Sequence, residues 1–332
     1  MWMFWAFFCL AAAPVLCVPP AGLQPEQVHV SYTGQCSNWR RVHETDSVYR
    51  SVCSLHDKPW KPRERIDNAR IGDEFMRQIQ SIAAYVPYMT SPGNHENAYN
   101  FSNYRNRFSM PGDTESLWYS WNIGPAHIIS FSTEVYFYLE YGLDLIFKQY
   151  SWLEKDLEEA NKPENRRVRP WIITMAHRPM YCSNDDKDDC TKFESYVRVG
   201  RNDTMPVAPG LEKLFYDYGV DLELWAHEHT YERLWPVYGF QVFNGSMEHP
   251  YVNPRAPVHI ITGSAGCREK HDGFIPAPRD WSAFRSTDYG YTRMQILNST
   301  HLYLEQVSDD QNGRVIDNMW LVKEQHSTAA WK

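Results

Sequence analysis

The sequence has no stretch rich in lysine and arginine. Its 332 residues carry a net charge of −8, spread along the chain without clusters. This absence argues against nucleic-acid binding, which leaves a basic electrostatic footprint. The sequence also has no internal repeat and no low-complexity tract. Its 43% hydrophobic content is enough for one large domain, or two ordinary ones, with a buried core.

Long apolar runs are absent beyond the N-terminus. The first apolar run reaches about residue 18, which is short for a membrane span and typical of a secretory signal. The run has no preceding lysine or arginine, yet a cleaved signal over residues 1–18 is favoured over a retained anchor. We therefore expect a secreted, extracellular or lysosomal protein with no membrane attachment after cleavage.

Cysteine is scarce, and the few residues present fit this compartment. Seven occur in all, and five lie beyond the predicted signal: Cys36, Cys53, Cys182, Cys190 and Cys267. The odd number leaves at least one thiol free or paired between chains. Cys182 and Cys190 bracket an acidic loop and could form a small disulfide loop. Four Asn-x-Ser/Thr triplets predict glycosylation, at Asn100, Asn202, Asn244 and Asn298.

Hydrophobic spacing predicts strands that alternate with helices and a β-rich end. Helical spacing marks residues 67–84 and a segment from Ile146 to Leu157, and a short helix stops at Gly219. Strands are predicted at residues 85–90, 127–131, 170–175, 220–225, 258–262, 291–297, 301–307 and 315–322. Residues 25–32 are predicted as an edge strand and residues 33–65 as irregular. The pattern favours an α/β sandwich of mixed sheets flanked by helices.

Three fragments place polar side chains where predicted strands end. Asn94 and His95 follow the strand at 85–90, within Gly-Asn-His-Glu. His177 follows the strand at 170–175, and the pair His227 and His229 follows the strand at 220–225. Open α/β sheets place their chemistry at such strand ends. The three fragments together predict one site.

The residue types at these strand ends suit metal chemistry. Carboxamide oxygen and neutral imidazole suit divalent first-row metals, so Asn94, His177, His227 and His229 are candidate ligands. A metal pair could polarise a phosphoryl oxygen and supply a hydroxide nucleophile, and His95 could protonate the leaving group. Arg178 and Glu228 could contact substrate, although salt-bridged scaffolding is favoured for both. The remaining histidines are expected to be structural or exposed: His29, His43, His56, His127, His249, His259, His271, His301 and His326.

These fragments resemble the purple acid phosphatases, within the calcineurin-like metallophosphoesterases. They are most similar to the animal iron/zinc type that resembles the plant enzymes. The family's Gly-Asn-His-Glu/Asp, strand-end His and Gly-His-x-His motifs match Gly93–Glu96, His177 and His227/His229, with Ala226 in place of the usual glycine. The resemblance implies a divalent metal on Asn94, His177 and His227, a ferric ion on His229, and His95 near the leaving group. It implies hydrolysis of phosphate monoesters at acidic pH.

Two family motifs that supply the iron-binding carboxylates and tyrosine are missing. Gly-Asp occurs only at Gly72-Asp73 and Gly112-Asp113, and neither continues as the family requires. Asp73 is therefore expected to be a solvated helix residue. We expect a metallophosphoesterase-type sandwich whose N-terminal part is incomplete, as in a shortened form of a complete phosphatase. The implied units are a signal peptide (1–18), a fibronectin-like remnant with connector (19–66), the truncated metallophosphoesterase domain (67–323) and a tail (324–332).

Three functions remain open on the sequence. The first is acid phosphatase activity at a binuclear iron–zinc centre. The second is a catalytically impaired secreted form that keeps at most a partial divalent-metal site, because the carboxylates and tyrosine that hold a trivalent ion are missing. The third is a different phosphoester specificity on the same fold. The missing tyrosine also predicts that even an iron-bound chain lacks the purple charge-transfer colour.

Overall fold

The computed structural model of the chain describes residues 6–7, 29–32, 70–85, 87–265, 270–326 and 331. Most of the predicted signal peptide, the connector at 33–65, and Cys36, Cys53 and Cys267 lie outside the described residues. The helices are α1 (Arg70–Ala83), α2 (Ala98–Arg107), α3 (Asp144–Ala160), α4 (Pro163–Val168), α5 (Tyr196–Val199) and α6 (Glu212–Asp217). The strands are β1 (Ala6–Phe7), β2 (His29–Tyr32), β3 (Tyr88–Ser91), β4 (Tyr119–Ile123), β5 (Ala126–Ser130), β6 (Trp171–Met175), β7 (Gly200–Arg201), β8 (Ala208–Pro209), β9 (Leu222–Trp225), β10 (Tyr231–Leu234), β11 (Val237–Tyr238), β12 (Gln241–Val242), β13 (Val258–Thr262), β14 (Ser282–Ser286), β15 (Gly290–Ile296), β16 (His301–Ser308) and β17 (Arg314–Val322).

A seven-stranded mixed sheet forms the centre of the fold, in the order β14-β10-β13-β9-β6-β5-β4. Its four inner strands, β13, β9, β6 and β5, run parallel to one another. The outer strands are antiparallel. Since parallel strands end at the same edge, the loops after β6 and β9 lie side by side, where the candidate residues occur.

A second, six-stranded sheet has the order β17-β16-β15-β1-β2-β3. Strands β15, β16 and β17 form an antiparallel meander, which confirms the predicted β-rich end. Strand β2 pairs on one side with β1 and on the other with β3. The prediction that residues 25–32 form an edge strand is therefore wrong for the described part, His29–Tyr32, because both backbone edges of the strand have a partner.

Side-chain alternation along the central strands builds two cores. Ile128 on β5 and Ile260 on β13 face the meander, where they pack with Leu304 and other apolar side chains. Their neighbours Ile129 and Ile261 belong to a second buried cluster, which includes residues of α3 and α6. Successive residues of a strand point to opposite faces, so each central strand contributes to both cores. The result is the predicted α/β sandwich of two mixed sheets flanked by helices.

The predicted helices α1, α3 and α6 are confirmed. Ile146, Leu153 and Leu157 of α3 are fully buried, as their spacing predicted. Asp73 lies on α1 and pairs with Arg107 at 2.9 Å, so it is a surface helix residue as expected. Gly219 has φ +66° just past α6, the left-handed conformation that glycine adopts after a helix end.

Strand β10 was not predicted because it carries two charged residues, the buried Glu232 and the partly buried Arg233. Glu232 accepts hydrogen bonds from the Ser183 backbone N–H at 2.9 Å and the Ser282 hydroxyl at 2.6 Å. Arg233 forms a bidentate ion pair with Asp317, at 2.7 and 2.8 Å.

Across the described residues, no helix has both the length and the apolar character needed to cross a membrane.

Candidate metal centre

Three strand ends bring Asn94, His177 and His227 into direct contact. Asn94 Oδ1 lies 2.9 Å from His177 Nε2, and His177 Nε2 lies 2.9 Å from His227 Nδ1. The two imidazole rings meet edge to face, with centroids 4.6 Å apart. One carboxamide oxygen and two ring nitrogens therefore converge on one point. That donor set fits a divalent first-row metal such as zinc.

The backbone around these residues is shaped to let them meet. His227 has φ +66°, a left-handed conformation that is costly for a residue with a side chain and occurs often at functional sites. The neighbouring Gly263 allows this turn, because a Cβ there would lie 2.0 Å from the carbonyl oxygen of Glu228. Ala226 is not left-handed, so alanine fits where the family usually has glycine.

A short 3-10 turn at Asn94–Glu96 positions Asn94. The Gly93 backbone N–H donates to the Glu96 carboxylate at 2.8 Å, and the Tyr138 hydroxyl donates to the Asn94 carbonyl at 2.9 Å. A Cβ on Gly93 would lie 3.2 Å from the His177 ring. A larger residue at position 93 would therefore press on the imidazole.

His177 is held neutral by its surroundings. It is completely buried, and burial lowers the pKa of its imidazole well below the usual range, helped by the nearby His227, Arg178 and His95. A neutral ring keeps a lone pair for a metal at acidic pH. His95 follows Asn94 directly, in the same 3-10 turn.

Asp188 is a site residue that the sequence prediction missed. Its carboxylate Oδ2 lies 2.5 Å from His227 Nε2, and Arg178 Nη1 lies 3.0 Å from the same nitrogen. The closer carboxylate favours a proton on Nε2, which leaves the Nδ1 lone pair facing His177. A carboxylate behind a ligating histidine commonly fixes the ring in this way. The sequence signal for Asp188 was its place in the acidic loop between Cys182 and Cys190.

That acidic loop is closed by a disulfide between Cys182 and Cys190, whose Cα atoms lie 5.4 Å apart. Asp188 itself pairs with Arg178 at 3.3 Å. Burial alone would raise the pKa of Asp188, but His227 and Arg178 outweigh it and hold the pKa below its usual range. Asp188 is therefore an anion that orients His227.

Arg178 is scaffolding, as expected. Its guanidinium pairs with the buried Glu134 at 3.1 and 3.2 Å and stacks over Phe137 at 4.1 Å. The same expectation is wrong for Glu228. Glu228 is fully buried beside carboxylates rather than a cation, and burial together with Asp186, Asp188 and Asp272 raises its pKa well above the usual range.

His229 has different surroundings from His227, the other histidine of the motif. Its backbone N–H donates to Asp272 Oδ2 at 2.6 Å, and its Nδ1 lies 3.2 Å from the Lys270 carbonyl oxygen. Among the described residues, His229 belongs to no group of three or more His, Cys, Asp and Glu side chains with ligand atoms within 4.8 Å of one another. Its Nδ1 lies 3.9 Å from Asp272 Oδ2, and a trivalent ion favours several anionic ligands.

The predicted glycosylation sites differ in exposure. Asn202 and Asn298 are exposed, whereas Asn100 and Asn244 are half-buried. Asn100 lies in a left-handed stretch at the start of α2 and accepts a hydrogen bond from Arg105 at 3.1 Å. Glycosylation at all four asparagines stays a prediction.

Comparison with known proteins supports the family assignment. The family described as calcineurin-like phosphoesterase matches residues 64–231, just over half of the chain. The chain belongs to this family. The C-terminal domain described as iron/zinc purple acid phosphatase-like protein C matches residues 256–318. The metallophosphoesterase-type fold is therefore confirmed.

Individual relatives agree with this placement. "Acid phosphatase type 7" of Danio rerio is 82% identical over 267 residues, covering 80% of this chain and 60% of the relative. "Fe(3+)-Zn(2+) purple acid phosphatase 12" of Arabidopsis thaliana is 32% identical, covering 77% and 53%. The purple acid phosphatase structure from yellow lupin, Lupinus luteus, matches with a TM-score of 0.63 at 27% identity, covering 76% of this chain and 44% of that one. The chain thus spans between 44% and 60% of the length of these relatives.

Proposed function

We propose that this phosphoesterase hydrolyses phosphate monoesters, using a divalent metal held by Asn94, His177 and His227. The observation that carries the proposal is the convergence of these three donors at 2.9 Å from three separate strand ends. Iron and zinc, which appear in the names of the matching C-terminal domain and of one relative, are the metals to expect. A metal bound there would supply Lewis-acid activation of the phosphoryl group and of water.

The chain's own residues would do the remaining work. His95, in the same 3-10 turn as Asn94, would donate a proton to the leaving oxygen of the ester. Asp188 would hold the proton on Nε2 of His227, so that Nδ1 faces the metal position. Arg178, fixed by Glu134 and Phe137, would keep Asp188 in place.

A second function is favoured by the motifs that the sequence lacks. The two Gly-Asp motifs that supply the family's iron-binding carboxylates and tyrosine are missing, so the iron position implied by the resemblance would hold no tightly bound ion. On this alternative the chain is a secreted protein that keeps one divalent metal and does not turn over phosphate monoesters.

Turnover by the zinc-loaded chain separates the two functions. The substrate is p-nitrophenyl phosphate at acidic pH, and the variants are His95→Ala and the exposed control His249→Ala. Hydrolysis should occur, and loss of the general acid should lower kcat by about 10² to 10⁴-fold, whereas the control variant should match the parent. Zinc binding without turnover would support the impaired form, and absence of zinc binding would contradict both.

Asp188→Asn tests the positioning of His227. Asparagine keeps the size of the side chain but removes the charge that fixes the Nε2 proton. We expect zinc affinity to fall by roughly 10 to 100-fold, the range for carboxylates that orient a ligating histidine. The exposed Asp185→Asn is the matched control, and both are measured by competition with a zinc chelator. Equal affinity in the two variants would show that Asp188 has no such role.

A further inference from the structure

Three carboxylates lie close together beside the loop that carries His227, Glu228 and His229. They come from Asp186 in the disulfide loop, Glu228 between the two histidines, and Asp272 in the segment after β13. One oxygen from each lies within 4.8 Å of the other two. The carboxylates therefore converge from three separate parts of the chain.

Glu228 shows that this convergence is more than an exposed acidic surface. Its side chain is fully buried, and its Oε2 has no hydrogen-bond partner among the described residues. Its Oε1 lies 3.2 Å from Cys190 Sγ, a disulfide sulfur that has no proton to donate. A buried carboxylate oxygen without a partner is costly. A bound cation would give this oxygen a partner.

The two flanking loops are held together independently of any ion. The Asp185 backbone N–H donates to the Gly273 carbonyl at 3.0 Å, and the Ile275 N–H donates to the Ser183 carbonyl at 3.0 Å. Asp186 also accepts from the Thr191 hydroxyl at 3.1 Å, and Asp272 accepts from the His229 N–H at 2.6 Å. These hydrogen bonds hold the carboxylates close together despite their mutual repulsion.

Arg178 does not serve these carboxylates, because it already pairs with Glu134 and Asp188. Asp186, Glu228 and Asp272 are held close together, so one cation between them would interact with all three. Each presents oxygen only, the ligand type of hard cations such as Ca²⁺, Mg²⁺ and Mn²⁺.

We propose that Asp186, Glu228 and Asp272 bind one hard divalent cation, of the calcium class, beside the histidine site and distinct from it. The two sites adjoin at Asp188, whose carboxylate lies within 4.8 Å of both His227 and Glu228 ligand atoms. A cation at this place would neutralise the buried Glu228 and fix the disulfide loop that carries Asp188. It would support the histidine site without taking part in its chemistry.

Calcium titration of the zinc-loaded chain tests the proposal, because the histidine site is then already filled. Isothermal titration calorimetry should show one Ca²⁺ per chain, with a dissociation constant on the order of 10⁻⁴ to 10⁻³ M, as in extracellular calcium modules. Asp186→Asn and Glu228→Gln keep side-chain size and should each weaken calcium binding by about 10-fold or more, since each removes a charged ligand. Asp185→Asn, an exposed neighbour outside the group, should bind calcium like the parent.

The outcomes separate this site from the proposed function. Calcium binding that is lost in Asp186→Asn while zinc binding persists supports two distinct sites. No calcium binding by the parent at millimolar calcium, or unchanged binding in Glu228→Gln and Asp186→Asn, would overturn the proposal and leave a proton shared by Glu228 and Asp186 as the compensating charge. Failure of zinc binding with calcium binding intact would contradict the proposed function alone.

Discussion

Replacing His177 with alanine should weaken zinc binding by more than about 100-fold, because even the carboxylates that merely orient a ligand contribute 10 to 100-fold. His177 is the middle member of the group, with Nε2 at 2.9 Å from both Asn94 Oδ1 and His227 Nδ1. Without His177, Asn94 and His227 remain as donors, and no ligand lies between them. The site then has too few ligands to hold a metal from solution.

A second variant, His177→Gln, separates the loss of a metal ligand from a loss of folding. His177→Ala leaves a buried space, whereas His177→Gln fills most of it and keeps a polar group near Asn94. Both should lose zinc while keeping the far-UV circular dichroism of the parent. The exposed His249→Ala serves as the control and should retain parental affinity. Parental zinc affinity in His177→Gln would show that the metal binds elsewhere.

Lys323→Met should lower the free energy of unfolding by about 3 kcal/mol, the lower end of the cost of removing one partner from a buried ion pair. Lys323 is 2% exposed and pairs with Asp221, which is completely buried at the start of β9. The Asp221 carboxylate also accepts from the Ile172 N–H at 2.9 Å and lies 3.7 Å from Arg166. Arg166 remains in the variant, so the loss is partial.

The same ion pair gives a pH dependence with a defined sign. Burial alone would raise the pKa of Asp221, but Lys323, His326 and Arg166 outweigh it and hold the pKa below its usual range. A carboxyl group with a depressed folded-state pKa stabilises the fold above its unfolded pKa, about 3.9. That stabilisation is lost as the pH falls further. The difference between the parent and Lys323→Met should therefore shrink below about pH 4.

Urea unfolding measures both effects. The control is Lys148→Met, which makes the same change on the exposed face of α3, where Lys148 is 67% exposed. Its midpoint should match that of the parent. A Lys323→Met midpoint equal to that of the control at neutral pH would show that Asp221 does not depend on its lysine partner.

The sequence predicted the three fragments that carry the candidate metal ligands, and the strands that precede them. Asn94, His177 and His227 follow β3, β6 and β9, and strand ends are the places where side chains from distant parts of a chain meet. Periodicity also predicted α3, because its buried residues recur at helical spacing. These features depend on local pattern and, for His177 and His227, on the shared edge of the parallel strands β6 and β9.

Other parts of the site could not be predicted, because they depend on contacts distant in sequence. Asp188 approaches His227 from 39 residues away, and nothing in its immediate sequence distinguishes it from Asp185 or Asp189. The sequence favours salt-bridged scaffolding for Glu228, but the structure buries it without a basic partner among the described residues. Its actual neighbours are carboxylates brought together by the pairing of two loops.

Metal content after saturation with both zinc and iron tests the central claim most directly. The full chain is equilibrated with both metals, freed of excess by gel filtration and analysed by mass spectrometry for metals and by visible absorption. We expect one zinc-type metal per chain, its absence in His177→Gln, and no charge-transfer band, since the motif that supplies the iron-binding tyrosine is missing from the sequence. Two transition metals per chain with a visible tyrosinate–iron band would contradict this account.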